Sequence, residues 1–328
     1  MRILVTGAAG FIGSHVAASL LRAGHETTLL ARRPSPSGPH RAARWVEGDL
    51  RQPDRLRRAF EGQDAVVHCA GVLPGVRTRP DGSEALARET EQAVLLAIGA
   101  GIARFVHISS LAVHEPPRGG ECLDEATPLS ARSAGWNFYA RTKIAEEEIV
   151  RAAHQRGWIG AVILRPGVTF GPGDRHATPL FLRALASPCR FHVGRGDNPV
   201  ASLVVEELAE AVALAVTRPG IEGRCYPLAG RRLLTQRDLF RIHARARGVA
   251  PPRWALPRAA ALRGAAMTEL AYRAISRRTP PVTRVGVWIV GCPSPVSCEA
   301  ALADLDWRGE RSVADAITRS IAHGGGKS

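Results

Sequence analysis

The sequence predicts an α/β protein, a doubly wound parallel sheet followed by a smaller C-terminal lobe. Three observations lead there. Short β-branched runs alternate with helical stretches through the first half; a glycine-rich turn follows the first strand directly; and the alternation breaks down after residue 165 into Gly/Pro-rich connections. A chain of 328 residues suits one large α/β unit, or a core domain carrying a smaller one.

The runs Ile3–Thr6, Thr27–Leu30, Arg44–Glu47, Ala65–His68, Phe105–Ile108 and Ala161–Leu164 read as strands. Helical patterns fall at about 13–23, 54–60, 84–100 and 137–156. Strands separated by helices pair in parallel, and ligands then bind beyond their carboxyl ends, where the strand order reverses. The sheet domain is expected over 1–165 and the lobe over 166–328, with some lobe segments returning to the core. The breaks include Gly171-Pro172-Gly173-Asp174 and Gly194–Pro199. Thr235-Gln236-Arg237-Asp238 has the spacing of a capping box, with Asp at the usual Glu or Gln position. The glycine-rich end, residues 323–328, reads as a flexible tail.

The formal charge is +14, and nearly all the positive charge is arginine, since Lys143 and Lys327 are the only lysines. The arginines are scattered, aromatics make up 5% of residues and no nucleic-acid module is visible, so biased codon usage explains the charge better than a nucleic-acid partner. Cysteines at 69, 122, 189, 225, 292 and 298 form no C-x-x-C pair and no zinc spacing, so neither disulfides nor a metal are expected. Apolar runs such as Val285–Cys292 are too short to span a bilayer. The first strand starts almost at Met1 with no basic leader, which gives a cytoplasmic expectation.

Thr6-Gly7-Ala8-Ala9-Gly10-Phe11-Ile12-Gly13 joins the first strand to a helix. Gly7, Gly10 and Gly13 would give the tight turn, the close approach of a pyrophosphate and close helix packing, with the helix N-terminus attracting phosphate charge. An ordinary strand-to-helix turn is the competing reading. A carboxylate usually ends the second strand to hold the adenosine ribose, but here Leu30-Ala31-Arg32-Arg33 stands there. Two guanidiniums suit a 2′-phosphate, favouring NADP, with NAD as the alternative.

Tyr139 and Lys143 lie four residues apart, on one face of a helix, in a chain almost without lysine. A phenol with a reference pKa near 10 must approach 7 to exchange protons at neutral pH, at a cost of roughly 4 kcal/mol. A cation about 5 Å away at an effective dielectric near 20 supplies on the order of 3 kcal/mol. Ser109-Ser110 ends the strand that stops at Ile108. Either serine could cap a turn, while Ser110 could hold a substrate oxygen.

Taken together, these residues resemble the extended short-chain dehydrogenase/reductase superfamily, the group with UDP-galactose 4-epimerase and 3β-hydroxysteroid dehydrogenase-like enzymes. The resemblance runs to about residue 210. It adds Gly48-Asp49-Leu50, His68-Cys69-Ala70-Gly71, Leu164–Gly167 and Phe170–Asp174 to the motifs above. It implies a Rossmann-like nucleotide domain with a C-terminal substrate lobe. It places Asp49, with Leu50 beside it, at the adenine, Phe11 and Ile12 at the pyrophosphate, and Ala70 and Gly71 at the nicotinamide. Lys143 falls at the nicotinamide ribose, and Pro166 and Val168 join the cofactor set. Tyr139, Lys143 and Ser110 become the catalytic group.

Three positions depart from the family pattern: Glu89 for the usual Asn, His114 for a Tyr four residues after the active serine, and Val168 for the Asn of nucleotide-sugar epimerases. The last, with Leu111-Ala112 in place of a dehydratase's Asp-Glu pair, turns the expectation away from sugar nucleotides. The expected activity is reversible hydroxyl/ketone interconversion on a mainly apolar steroid-, polyketide- or flavonoid-like small molecule. A nucleotide-sugar 4-epimerase holding NAD tightly is the alternative, and a cofactor-sensing binding protein a more distant one. Trp254, Leu256, Leu262 and Met267 either line an apolar pocket or belong to the core. By analogy, helices 84–100 and 137–156 would pair two copies through a four-helix bundle.

Overall fold

β1 (Arg2–Thr6) is sealed from solvent from Ile3 onward. Five more strands follow it in the first half: β2 (Glu26–Ala31), β3 (Arg44–Glu47), β4 (Ala65–His68), β5 (Arg104–Ile108) and β6 (Gly160–Pro166). Between them run α1 (Phe11–Arg22), α2 (Arg57–Phe60), α3 (Gly82–Gly99) and α4 (Phe138–Gln155). Each lies where the periodicity predicts, except that the 54–60 stretch divides into a 3-10 turn, Pro53–Arg55, and the single turn of α2. The computed structural model describes residues 1–35, 40–41, 43–71, 82–117, 121–129, 136–187, 190–275, 280 and 282–325.

The second half gives β7 (Val168–Phe170), α5 (Ala177–Ala186), β8 (Phe191–Val193), β9 (Pro199–Val200), β10 (Ser202–Val204), α6 (Val205–Thr217) and β11 (Cys225–Leu228). It closes with β12 (Leu234–Thr235), α7 (Gln236–Arg247), β13 (Trp254–Leu256), α8 (Arg258–Ile275), α9 (Arg284–Gly291), α10 (Glu299–Leu305) and α11 (Val313–Gly325). The main sheet has seven strands in the order β11-β6-β5-β4-β1-β2-β3, all parallel. It is the Rossmann-like, doubly wound sheet the sequence predicts. The order reverses between β1 and β4, so the crevice opens beyond the carboxyl ends of those two strands.

The sheet's two faces carry separate apolar layers. One gathers Ile3, Val5, Val16 and Leu20 with Leu208, Val212 and Trp307; the other gathers Leu4, Phe60, Val66, Val94, Phe105 and Val150. A third cluster, built on Phe170, Phe181, Leu239, Phe240, Val287 and Ile317, is the core of the C-terminal lobe. The second half is not confined to that lobe, since β11 completes the sheet and α6 packs on α1. Proline within Cys225–Leu228 hides this strand in the sequence; β11 lies at the sheet edge, where a missing N–H costs no ladder bond.

The Thr235 capping box forms in full, with Asp238 returning a bond to the Thr235 backbone. The apolar run near residue 290 becomes α9 inside the lobe, and among the described residues no helix is long and apolar enough to cross a membrane. α11 continues through Gly325, so the expected tail begins no earlier than residue 326, and 326–328 lie outside the described residues.

The glycines of the first loop are sterically required. Gly7 has φ +67, and a Cβ there would lie 2.7 Å from the Ala70 backbone nitrogen; at Gly13 a Cβ would lie 2.3 Å from the Gly7 carbonyl oxygen. Both obstacles are backbone, which cannot rotate away. Gly13→Ala should therefore lower stability by about 1–3 kcal/mol through forced separation of α1 from β1. A thermal melt checks this, and an unchanged Tm would show that the loop has room to relax.

Candidate active site

The expected site residues lie in a row across the carboxyl ends of the strands. Gly7 to Gly13 follow β1, Arg32 and Arg33 follow β2, Asp49 and Leu50 follow β3, Ala70 and Gly71 follow β4, Ser110 follows β5, and Pro166 and Val168 lie at the end of β6 and the start of β7. Gly10 caps α1 with no side-chain bond to the first-turn amides. Phe11 packs edge-on against His15, whose ring bonds the Pro172 carbonyl at 2.9 Å and ties the helix start to the Gly171–Asp174 loop. Thr6 bonds His68 at 2.9 Å and accepts from the Ala70 amide at 3.3 Å, while His68 reaches Thr90 at 3.1 Å. Burial drives the His68 pKa down to about 3, so a neutral ring anchors the loop after β4.

At the far end of the row Asp49 pairs with Arg51, which donates from Nε at 3.0 and 3.1 Å and from a terminal nitrogen at 2.5 Å. Those bonds, with the charge of Arg32 adding to them, hold the Asp49 carboxyl down at about 2. Arg51 also lies 4.0 Å from Glu89. Arg32 and Arg51 thus both act on the two carboxylates, Asp49 and Glu89. Arg51 escaped the sequence reading because arginine is common everywhere in this chain. Leu50 is only 5% exposed and packs with Leu4, Leu30 and Leu56, so its side chain belongs to the core and not to a cofactor contact.

The structure separates the two serines. Ser109 is buried and donates to Glu147 Oε1 at 2.6 Å. Ser110 is half-buried, caps the 3-10 turn Leu111–Val113, and accepts from the Ala112 amide at 3.2 Å. Both the capping role and an accessible hydroxyl therefore belong to Ser110, since accepting one amide leaves its proton free to be donated. Tyr139 lies in the first turn of α4, half-buried, one turn before Lys143. Lys143 Nζ donates to the Ile108 carbonyl at 2.9 Å and to Glu146 at 2.7 Å. Burial opposes the ammonium, but Glu146 and Tyr139 outweigh it and raise the lysine pKa above its ordinary value. A Cβ on Gly71 would come 3.4 Å from Nζ, so the loop after β4 closes against the same lysine.

Beneath this group is a buried ion cluster that the sequence reading missed. Glu147 receives Arg165 through two nitrogens, at 2.9 and 2.7 Å, and Arg151 at 3.3 Å. Burial would raise its carboxyl, but Arg165 and Ser109 pull it below the ordinary glutamate range. Arg165 also donates to His114 Nε2 at 3.1 Å, and the histidine's Nδ1 lies 3.1 Å from the Pro128 carbonyl. A guanidinium can only donate, so His114 carries its proton on Nδ1 and is neutral, consistent with a pKa that burial and Arg165 lower to about 4. The spacing was the available signal: Glu147 stands one helical turn beyond Lys143, on the face that Tyr139 and Lys143 already mark as inward.

The sequence model of the NAD-dependent epimerase/dehydratase family matches residues 3–228, most of the chain and all of the row described above. The chain belongs to that family. Relatives in it include a 2-alkyl-3-oxoalkanoate reductase of Shewanella oneidensis, 25% identical across 96% of this chain and 84% of that protein. Another 2-alkyl-3-oxoalkanoate reductase, from Stenotrophomonas maltophilia, is 28% identical across 97% of this chain and 98% of its own. Among solved structures, that of gox2253 superimposes with a TM-score of 0.80 at 29% identity, covering 98% of this chain and 97% of that one. The UDP-glucuronic acid 4-epimerase of Bacillus cereus, solved with UDP-glucuronic acid and NAD, has a TM-score of 0.74 at 20% identity, a likeness of fold, covering 98% of each chain. This family member is an NAD(P)-dependent dehydrogenase/reductase of the extended short-chain type.

The described cysteines, 69, 122, 225, 292 and 298, are free, and burial pushes the Cys69 and Cys225 thiols up to about 12. Trp254 and Met267 are 78% and 73% exposed, while Leu256 and Leu262 pack against the lobe core, so these four residues form no common pocket.

Glu147→Gln should destabilise the fold by about 3–5 kcal/mol, because Arg165 is left buried without a counter-charge. A carboxyl held below its unfolded pKa stabilises at neutral pH and loses that contribution as pH falls through the folded value, so the variant should also show a shallower loss of Tm on acidification. Denaturant titration with melts at several pH values reads both, and parallel acid profiles would remove Glu147 from this role.

Proposed function

We propose that the protein is an NADP-preferring ketoreductase that interconverts a hydroxyl and a ketone on a mainly apolar substrate. One observation carries the reading: Ser110, Tyr139 and Lys143 gather at the end of β5 and the start of α4, beside the crevice where the strand order reverses. The residues present fit a nicotinamide dinucleotide. The glycines let the loop after β1 turn tightly where no Cβ would fit, and the first turn of α1 has no side-chain cap competing for its amides. Bound cofactor supplies the hydride in reduction and accepts it in oxidation.

In reduction, the Tyr139 hydroxyl gives its proton to the substrate oxygen as negative charge grows there, and Ser110 donates a hydrogen bond to the same oxygen. The Lys143 ammonium, held by Ile108 and Glu146, stabilises the phenolate left on Tyr139. Oxidation runs the same proton back. Gly7, Gly10, Phe11, Ile12 and Gly13 would hold the pyrophosphate, Asp49 the adenine, Ala70, Gly71, Pro166 and Val168 the nicotinamide side, and Arg32 and Arg33 a 2′-phosphate.

The apolar preference is supported by a small apolar cleft in the C-terminal lobe, lined by Leu180, Phe181, Val193, Phe240, Val287 and Val290. Its lining includes Thr283, next to Arg284, whose guanidinium stacks 5.2 Å over Trp136, three residues before Tyr139. Relatives named as 2-alkyl-3-oxoalkanoate reductases point the same way, to an alkyl-bearing ketone. A homodimer through α3 and α4, which pack extensively on each other, completes the proposal.

Tyr139→Phe tests the mechanism: kcat for ketone reduction should fall on the order of 100- to 10,000-fold while NADPH affinity stays. Retained turnover would defeat it. Arg32→Ala with Arg33→Ala should raise the Kd for NADPH about tenfold or more and leave that for NADH nearly unchanged, as titration by cofactor fluorescence would show. Equal effects on the two cofactors would remove the NADP preference.

A further inference from the structure

The C-terminal lobe carries a surface that neither the sheet nor the reaction uses. From residue 239 to 298 the sequence holds ten arginines and one acid, Glu269. Glu269 is 8% exposed and already engaged, accepting from the Arg284 amide and from Arg284 Nε, both at 2.8 Å. This stretch therefore presents positive charge with no carboxylate of its own at the surface.

Apolar exposure concentrates in the same place. Among the described residues, the three large apolar side chains most open to solvent are Trp254 at 78%, Met267 at 73% and Leu270 at 70%. On α8, Ala260, Arg263, Met267 and Leu270 are all exposed and spaced three or four residues apart, with exposed Ala271 four residues after Met267, which makes one outward stripe. Ala261 and Ala265, on the opposite face, are buried in the lobe core. Trp254, with exposed Arg253 beside it, lies four residues before the helix begins. Single apolar residues scattered on a surface need no explanation, but an apolar stripe flanked by cations does.

We propose that α8 and the Trp254 segment are a docking surface for an anionic lipid bilayer. Trp254, Met267 and Leu270 enter the headgroup region, and Arg253 and Arg263 meet lipid phosphates, the arrangement of an interfacial helix that lies along a membrane without crossing it. Charge decides among occupants. A second copy pairing through this face by two-fold symmetry would set one arginine-rich surface against another. A nucleic acid would satisfy the arginines and leave the aliphatic stripe in water. An anionic bilayer satisfies both, and the inference is independent of the reaction proposed above.

Vesicle flotation of the full-length protein tests it, with phosphatidylcholine alone and with about a third of the lipid replaced by phosphatidylglycerol. Flotation should be at least about tenfold greater with the anionic vesicles and should fall as salt rises. Met267→Ser with Leu270→Ser should abolish it, and Arg253→Gln with Arg263→Gln should weaken it, both with unchanged Tm because these side chains are exposed. No flotation of the unaltered protein on anionic vesicles would overturn the proposal, as would undiminished flotation of the Met267/Leu270 variant. If that variant floats undiminished and its gel-filtration volume shifts to a smaller species, the surface is a contact between copies instead.

Discussion

Glu147 has no exposure to solvent, and parts of three elements hang on its two carboxylate oxygens. Ser109 brings the end of β5, Arg165 brings β6, and Arg151 comes from the next turn of α4 itself. The neighbours on those elements are the candidate site residues: Ser110 follows Ser109, Pro166 follows Arg165, and Lys143 and Tyr139 precede Glu147 along the helix. Geometry at the surface of the sheet is thus set from below by a buried ionic joint. Such a joint gives little net stability, because desolvation offsets most of the attraction, but it permits one relative placement of strand and helix and penalises others.

How much of this could be read from the chain depends on whether a signal is local. The six strands and four helices of the first half were legible because each carries its own periodicity and ends in its own turn residues. The row of site residues followed, since the carboxyl ends of parallel strands are fixed once the strands are. β11 was hidden, because Pro227 argues against a strand until the edge position is known. The partnership of Glu147 with Arg165, eighteen residues apart, shows in no window of helix or strand period. Arg51 was lost in a background of arginine, and Leu50 was grouped with Asp49 by adjacency, although a turn starts there and its side chain is buried with Leu4, Leu30 and Leu56. In the lobe, Trp254 and Met267 drew attention as apolar residues in a region without periodicity, and only the fold shows them facing outward.

The scarcity of lysine is informative beside that abundance. This chain uses arginine for almost every cation, yet Lys143 stands in the buried position next to Tyr139. A guanidinium there would bring a rigid planar fork into a space shaped for a compact, tetrahedral donor, and would spread its charge over three nitrogens.

That tetrahedral shape has a consequence for binding. An ammonium has three N–H bonds, and in Lys143 two are committed, one to the Ile108 carbonyl and one to Glu146. The third has a direction fixed by the other two, before any ligand arrives. The rotational freedom of the long side chain, worth about 2 kcal/mol, is therefore lost during folding and not on association. A ribose hydroxyl reaching this place would meet a donor that is already aimed.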